Sequence, residues 1–360
     1  MIGVDLFCGA GGMSLGAEMS GIEVVAGVEA SRYAAETYSR NYADATVLCR
    51  KLEQVTAQDF RNIVRRQPLV VFGGPPCRGF STSNQRTRSS RNPDNWLFRH
   101  YVRLVSELQP EWVVFENVTG ILQTEGGRFL WEVRDRLEAL RYSTVQWSLN
   151  AVDFGVPQRR SRVFVVGAQG RLSVEAPRGS ANRVTVLEAI SDLPRLENGA
   201  NTNWMPYAMP ATSLYARKMR GRLRRSANHL VTQNQPSILR RYSFVPPGGN
   251  WKSIPLRLMA NYTDRERCHE WIYLRLKPDE PSVVIGNYRK NMLIHPSQDR
   301  GLSVREAARL QSFPDRFEFA GSIGFQQQQV GNAVPPLLAR AVFGTVMRAS
   351  GEVAHPDEDD

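Results

Sequence analysis

The sequence predicts an α/β protein, a Rossmann-like and mostly parallel sheet with helices on both faces, followed by a smaller irregular domain. Three observations carry that prediction. Short apolar runs recur at Gly3 to Cys8, Val24 to Glu29, Leu69 to Gly73, Trp112 to Glu116 and Arg162 to Gly167, as expected of strands covered on both faces. Helical periodicity fills the intervals at Ser31 to Asn41, Leu97 to Leu108 and Phe129 to Leu140, the alternation that builds a layered α/β fold. From about Arg171 the pattern fades into Pro, Asn and Arg with turn clusters such as Pro246-Pro247-Gly248-Gly249-Asn250. Helical spacing returns at Ser303 to Gln311 and Leu337 to Met347. The expected division is therefore a first domain over 1–170, an irregular one over 171–300, a segment over 301–350 that rejoins the first, and a tail over 351–360. Five acids between Glu352 and Asp360 mark that tail as disordered.

A chain of 360 residues has room for two domains. Its 46 Lys and Arg against 35 Asp and Glu give a net charge of +11, which favours a polyanionic partner such as nucleic acid. Arg217, Lys218, Arg220, Arg222, Arg224 and Arg225 place six cations within nine positions, and Arg240 and Arg241 follow. Cys8, Cys49, Cys77 and Cys268 are scattered, fitting neither a disulfide framework nor a zinc site and pointing to a reducing compartment. The N-terminus lacks a basic start before an apolar stretch, and no run of about 18 apolar residues is evident. The expected location is cytoplasmic, with the nucleic acid.

Two sites carry chemistry. Gly9-Ala10-Gly11-Gly12 joins a strand to a helix, and Glu29 ends the next strand twenty positions after Gly9. Missing Cβ atoms let the backbone approach a ligand, and an acid there accepts from ribose hydroxyls. An adenosine-containing cofactor fits, with a dinucleotide and S-adenosylmethionine both open. Gly73-Gly74-Pro75-Pro76-Cys77 then follows a buried strand and leads into an Arg-rich stretch, where a thiolate is favoured. A lone Cys is more often a small buried residue; the second strand-end acid, in Glu116-Asn117-Val118, shifts the balance. A thiol paired with an acid suits methylation of cytosine carbon 5. Thiolate addition at carbon 6 with protonation of N3 makes carbon 5 nucleophilic, and the base must be extruded from the duplex to be reached.

The chain resembles the DNA cytosine-5 methyltransferase family of bacterial restriction-modification type. The resemblance rests on Asp5-Leu6-Phe7-Cys8-Gly9-Ala10-Gly11-Gly12, Gly74-Pro75-Pro76-Cys77 with Phe80-Ser81, Glu116-Asn117-Val118 and Gln158-Arg159-Arg160-Ser161-Arg162. It continues through Arg305 to Asp315 and Gln329 to Pro336. It implies S-adenosylmethionine as cofactor, with Phe7 stacked on adenine, Gly9, Ala10 and Gly12 along the methionine part, Glu29 on the ribose, and Leu52, Pro76, Leu97, Asn332 and Val334 completing the pocket. It also implies Cys77 as nucleophile, Glu116 bonded to N3, and Arg160 and Arg162 fixing the flipped base and neighbouring phosphate or carboxylate groups.

The region over 171–300 would be the target-recognition domain. Arg222, Arg224, Arg225 and Arg240 there, with Arg78, Ser81, Arg86 and Arg88 after the nucleophile, would contact DNA. The implied partner is double-stranded DNA, read at one short site by a monomer, with a companion restriction endonuclease. Two positions depart from the family pattern. Lys51 stands where an acid usually bonds the adenine amino group, and an ammonium cannot accept that bond. Arg78 replaces the usual Gln after the nucleophile. The competing readings are an RNA cytosine-5 methyltransferase, a DNA-binding relative without turnover, and a nicotinamide oxidoreductase. The size of the recognition region, the Cys77 and Glu116 pair, and the Pro76-Cys77 and Glu116-Asn117 motifs respectively argue against them.

Overall fold

A computed structural model describes residues 1–64, 67–76, 92–170, 172–260, 262, 269–286 and 288–351. It divides into two compact units, one of residues 1–154, 161–179 and 334–360, the other of 155–160 and 180–333.

The first unit is built on a seven-stranded sheet. In chain order its elements are β1 (Ile2–Leu6), α1 (Gly12–Glu18), β2 (Glu23–Val28), α2 (Arg32–Asn41), β3 (Thr46–Leu48), β4 (Leu69–Gly73), α3 (Phe98–Leu108), β5 (Trp112–Val118), α4 (Arg128–Ala139), β6 (Tyr142–Asn150) and β7 (Ser161–Gln169). The strand order is β3-β2-β1-β4-β5-β7-β6. Pairing from β3 through β5 is parallel, while β7 runs against both β5 and β6. This is the mostly parallel, Rossmann-like sheet that the apolar runs predict.

Local chemistry explains the elements. β1 and β4 are buried at every position, so they read as unbroken apolar runs. In α3, Phe98, Tyr101, Val102, Leu104 and Val105 are buried, the spacing of one helical face. That helix stops where Gln109 turns left-handed (φ 49°). Leu6, Val71, Val113 and Phe115 from the strands join Phe98, Tyr101, Phe129 and Val133 from the helices in one core. β3 and β6 escape the apolar-run criterion because they are edge strands; β6 buries only Tyr142, Trp147 and Leu149. β1 ends at Leu6 rather than Cys8 because Phe7 adopts φ 66° and turns the chain.

The second unit carries short helices, α5 (Val186–Ile190), α6 (Leu214–Arg220), α7 (Pro236–Tyr242), α8 (Tyr288–Asn291), α9 (Val304–Leu310) and α10 (Ile323–Asn332), with two two-stranded ladders. The expected rejoining at residue 301 is corrected to Val334. The reason is α9, whose buried charges are satisfied inside the second unit. Arg309 binds Asp192 at 2.9 Å and Asp315 at 2.6 Å, Arg305 donates to the carbonyls of Ala227 and Phe317 at 2.8 and 2.6 Å, and Glu306 receives Arg300 at 2.6 Å. Among the described residues, Ile323–Ala349 does reach the length and composition of a membrane span. It is two helices interrupted at Ala333–Pro335, and it is mostly buried within the protein. The tail over 352–360 lies outside the described residues.

Chain return is sealed by α11 (Pro336–Ala349), which packs on α1. A Cβ on Gly16 would lie 2.4 Å from the Ala339 methyl and 2.6 Å from the Arg340 nitrogen. Ser20 donates from α1's end to the Arg340 carbonyl at 3.1 Å. Beneath the β1–α1 turn, Asp5 is 1% exposed and accepts from the Ser14 hydroxyl at 2.6 Å; that hydroxyl also bonds Tyr38 at 2.8 Å. Burial pushes the Asp5 carboxyl up to about 8, against the Ser14 bond and with help from Glu29 and Glu116.

Two tests follow from this packing. Gly16→Ala should lower stability in urea melts by about 1–3 kcal/mol, because the close contact outweighs alanine's helix preference of about 1 kcal/mol. For Asp5 the native state holds a proton that the unfolded chain releases near 3.8. Its contribution is thus full below pH 4 and lost as pH rises through about 8, with a slope of up to about 1.4 kcal/mol per pH unit. The stability difference between wild type and Asp5→Asn, followed by melts from pH 4 to 9, should carry that slope; a flat difference would contradict the assignment.

Candidate active site

Strand register assembles the candidate residues. Val28, Leu6, Gly73 and Phe115 align across β2, β1, β4 and β5. The next residue of each strand, Glu29, Phe7, Gly74 and Glu116, therefore forms one row at the carboxyl edge. The chain passes from β1 outward to β2 and β3 and returns as β4 on the other side of β1. Ligands of open α/β sheets bind at such a switch point.

The glycine turn forms one half of the site. Phe7 in the left-handed region is strained for an aromatic residue. Gly9 (φ 55°) has open space where a Cβ would stand. The Glu29 carboxylate accepts from the Gly9 amide at 3.0 Å and the Ser31 amide at 2.7 Å. Burial still raises its pKa over the opposing effect of those bonds. Ala10 and Gly12 are buried within the turn. Tyr42, which nothing in the sequence singles out, lies against it and donates to the Gly11 carbonyl at 2.5 Å.

The other predicted lining residues divide. Pro76 is exposed and Leu97 half-buried ahead of α3. Val334 is buried in the first unit, and Asn332 is exposed at the end of α10 in the second. Leu52 is 2% exposed and belongs to the hydrophobic core, because the short 3-10 turn Leu52–Gln54 directs it inward while Lys51 and Glu53 face solvent.

The second half surrounds Glu116. A Cβ on Gly74 would lie 2.3 Å from its Oε2, so the carboxylate occupies the space that glycine leaves. Asn117 donates to the Pro75 carbonyl at 3.3 Å and anchors the turn that leads toward residue 77. Arg162 Nε sits 2.8 Å from Glu116 Oε1, each side chain 10% exposed. Their meeting follows from register. Glu116 faces Phe164 and Val118 faces Arg162, which makes 116 and 162 diagonal neighbours on one face. Cys77, Arg78, Ser81, Arg86 and Arg88 lie outside the described residues.

Arg160 is enclosed. It is 1% exposed and donates to the carbonyls of Gly331, Ala333 and Ile285 at 2.9, 3.0 and 3.3 Å. Its guanidinium clamps backbone inside the second unit. Gln158 is likewise structural, donating to the Leu310 carbonyl and accepting from the Ile285 amide.

The predicted DNA-contacting residues Arg222, Arg224, Arg225 and Arg240 are all exposed. Around α6 three arginines donate to neutral carbonyls, and one of them, Arg220, also lies 3.9 Å from the Asp192 carboxylate. Arg217 donates to Ala211 and Thr212, Arg220 to Met209 and Leu223, and Arg225 to Trp204. Arg220 also lies 3.8 Å over the Tyr207 ring. Arg217, Arg220 and Arg224 line an open cavity of about 490 Å³ with Tyr207 and Met209. Exposed cations gathered in this way generate a positive surface potential.

Comparison with known proteins agrees with this geometry. The profile of the C-5 cytosine-specific DNA methylase family matches residues 1–348. The type II methyltransferase M1.HphI of Haemophilus parahaemolyticus is 37% identical over 96% of this chain and 86% of its own. M.XorII of Xanthomonas oryzae pv. oryzae is 33% identical over 97% and 85%. The crystal structure of a prophage-encoded E. coli protein described as a DNA modification methyltransferase superimposes with a TM-score of 0.80 at 25% identity, covering 98% of this chain and all of that one. An Entamoeba histolytica methyltransferase, EhMeth, shares the fold at a TM-score of 0.66 and 14% identity, over 97% and 98%. With a strand-edge acid held by arginine beside a glycine turn, and that profile over nearly its whole length, the chain belongs to the C-5 cytosine-specific DNA methylase family and is a DNA cytosine-5 methyltransferase of restriction-modification type.

Proposed function

We propose that the protein methylates carbon 5 of a cytosine within a short duplex DNA site, through a transient bond between Cys77 and carbon 6 of an extruded base. The observation that carries this reading is Glu116, fixed by Arg162 against the Gly74-Pro75 turn that runs into residue 77. S-adenosylmethionine would supply an electrophilic methyl group. The open space over Gly9, the strained Phe7 and the Glu29 carboxylate at the rim suit its adenosine and methionine parts.

The Cys77 thiolate adds to carbon 6 while Glu116 bonds and protonates N3, which places the displaced electron pair on carbon 5. Arg162 holds the Glu116 carboxyl toward the ring. After methylation, loss of the carbon 5 proton to a base, expulsion of the thiolate and return of the N3 proton to Glu116 restore the aromatic ring. The exposed arginines of the second unit would grip phosphates, and Arg78, Ser81, Arg86 and Arg88 would follow the base. The enzyme would act as a monomer in the bacterial cytoplasm, beside an endonuclease that cuts the same site.

Cys77→Ala should abolish transfer of labelled methyl groups to duplex DNA while duplex affinity survives, and Glu116→Gln should slow transfer by roughly 100- to 10,000-fold. Full turnover by Cys77→Ala would end the covalent mechanism. Bisulfite sequencing of DNA from cells expressing the protein reads out base and site together. Lys51 is exposed beside the short turn that begins at Leu52. Lys51→Asp should restore an acceptor and tighten cofactor binding in calorimetry, and an unchanged or weaker dissociation constant would remove that account.

A further inference from the structure

The glycine turn is held on one side by Glu29, which accepts from the Gly9 amide. Tyr42 holds the other side. It follows the last turn of α2, is 4% exposed, and its hydroxyl donates to the Gly11 carbonyl at 2.5 Å. The ring also fills the volume beneath Gly11 (φ 98°), where a Cβ would lie 2.4 Å from Tyr42 Cε2. Only glycine accepts both that φ and that neighbour.

Tyr42 is itself braced. Its ring lies 4.3 Å from that of Tyr38. Tyr38 bonds the Ser14 hydroxyl, which donates to the buried Asp5 of β1. Tyr38 also presses on β2, where a Cβ on Gly27 would lie 2.8 Å from its ring. The tyrosine that touches the turn is thereby fixed to β1, β2, α1 and α2 at once.

We infer that Tyr42 is a positioning residue for the cofactor: its hydroxyl fixes the Gly11 peptide, so the glycine turn is already ordered when S-adenosylmethionine arrives. This rests on the proposal that the turn binds that cofactor. Three glycines in four residues lose more conformational freedom on ordering than a turn with side chains at those positions would. A bond that orders them beforehand removes that penalty from binding. A peptide is planar and trans, so a pinned Gly11 carbonyl also sets the direction of the Gly12 amide on its far side.

Tyr42→Phe keeps the ring, its fit under Gly11 and its contact with Tyr38, and removes only the hydroxyl. The dissociation constant for S-adenosylmethionine, measured by calorimetry on the full chain, should rise about three- to ten-fold, the worth of one such hydrogen bond. The Michaelis constant for the cofactor should rise in parallel, with kcat at saturation and duplex affinity unchanged. Hydrogen exchange at the Gly9–Gly12 amides of the ligand-free protein should quicken while the strands of the sheet keep their protection. Wild-type affinity and wild-type exchange in Tyr42→Phe would overturn the inference, as would a loss of melting temperature with no change in cofactor affinity. A wild-type chain that binds no S-adenosylmethionine would instead overturn the cofactor assignment on which it rests.

Discussion

The ion pair between Arg162 and Glu116 depends on the direction of one strand. Every strand from β3 to β5 ends at the carboxyl edge, where the candidate residues gather. A parallel β7 would begin at the opposite edge and carry Arg162 away. Because β7 runs against β5, its first residues arrive where β5 ends, and a guanidinium meets the carboxylate at 2.8 Å. The pair is nearly enclosed, so both charges are largely stripped of water. Removing one partner from such a pair exposes the other to a penalty of about 3–5 kcal/mol. The interaction thus fixes Glu116 in place more than it stabilises the fold.

Around that pair the site is shaped by missing atoms. Gly74 yields its side-chain volume to Glu116, and Gly11 yields its own to Tyr42. Gly9 yields to open space. The first two let protein groups come closer to backbone than any other residue would allow, and the third leaves the backbone itself uncovered. Phe7, an aromatic residue in left-handed backbone, shows that the turn is held against its local preference by the sheet on both sides.

Much of this was legible in the sequence, and the limits have physical causes. The central strands β1, β2, β4, β5 and β7 announce themselves because burial on both faces demands continuous apolar character. Edge strands β3 and β6 are half solvated and do not. The strand ends at Glu29, Gly74 and Glu116 could be placed because the strands could. Arg160 and Arg162 could not be told apart, two residues from each other in one motif, since sequence does not say whether a guanidinium finds a carboxylate or a set of carbonyls. Leu52 is apolar and adjacent to the right loop, yet the turn aims it into the core. Tyr42 left no trace, because its role comes from a contact across 31 positions.

Arginine burial also changes what the net charge means. Arg309 and Arg300 are enclosed and neutralised by Asp192, Asp315 and Glu306. Arg160 is enclosed among carbonyls, and Arg305 among carbonyls with the Asp315 carboxylate 3.9 Å away. Such residues stiffen the second unit and present little field to a partner, so a charge of +11 overstates in one sense and understates in another. Exposed cations lie instead at Arg217, Arg222, Arg224 and Arg225, and of these Arg217 and Arg225 have donors aimed by neutral carbonyls. A guanidinium oriented by a carbonyl keeps its full charge and has already lost part of its rotamer freedom. Carbonyl-held and exposed, Arg217 and Arg225 are therefore oriented donors that keep their charge at the surface.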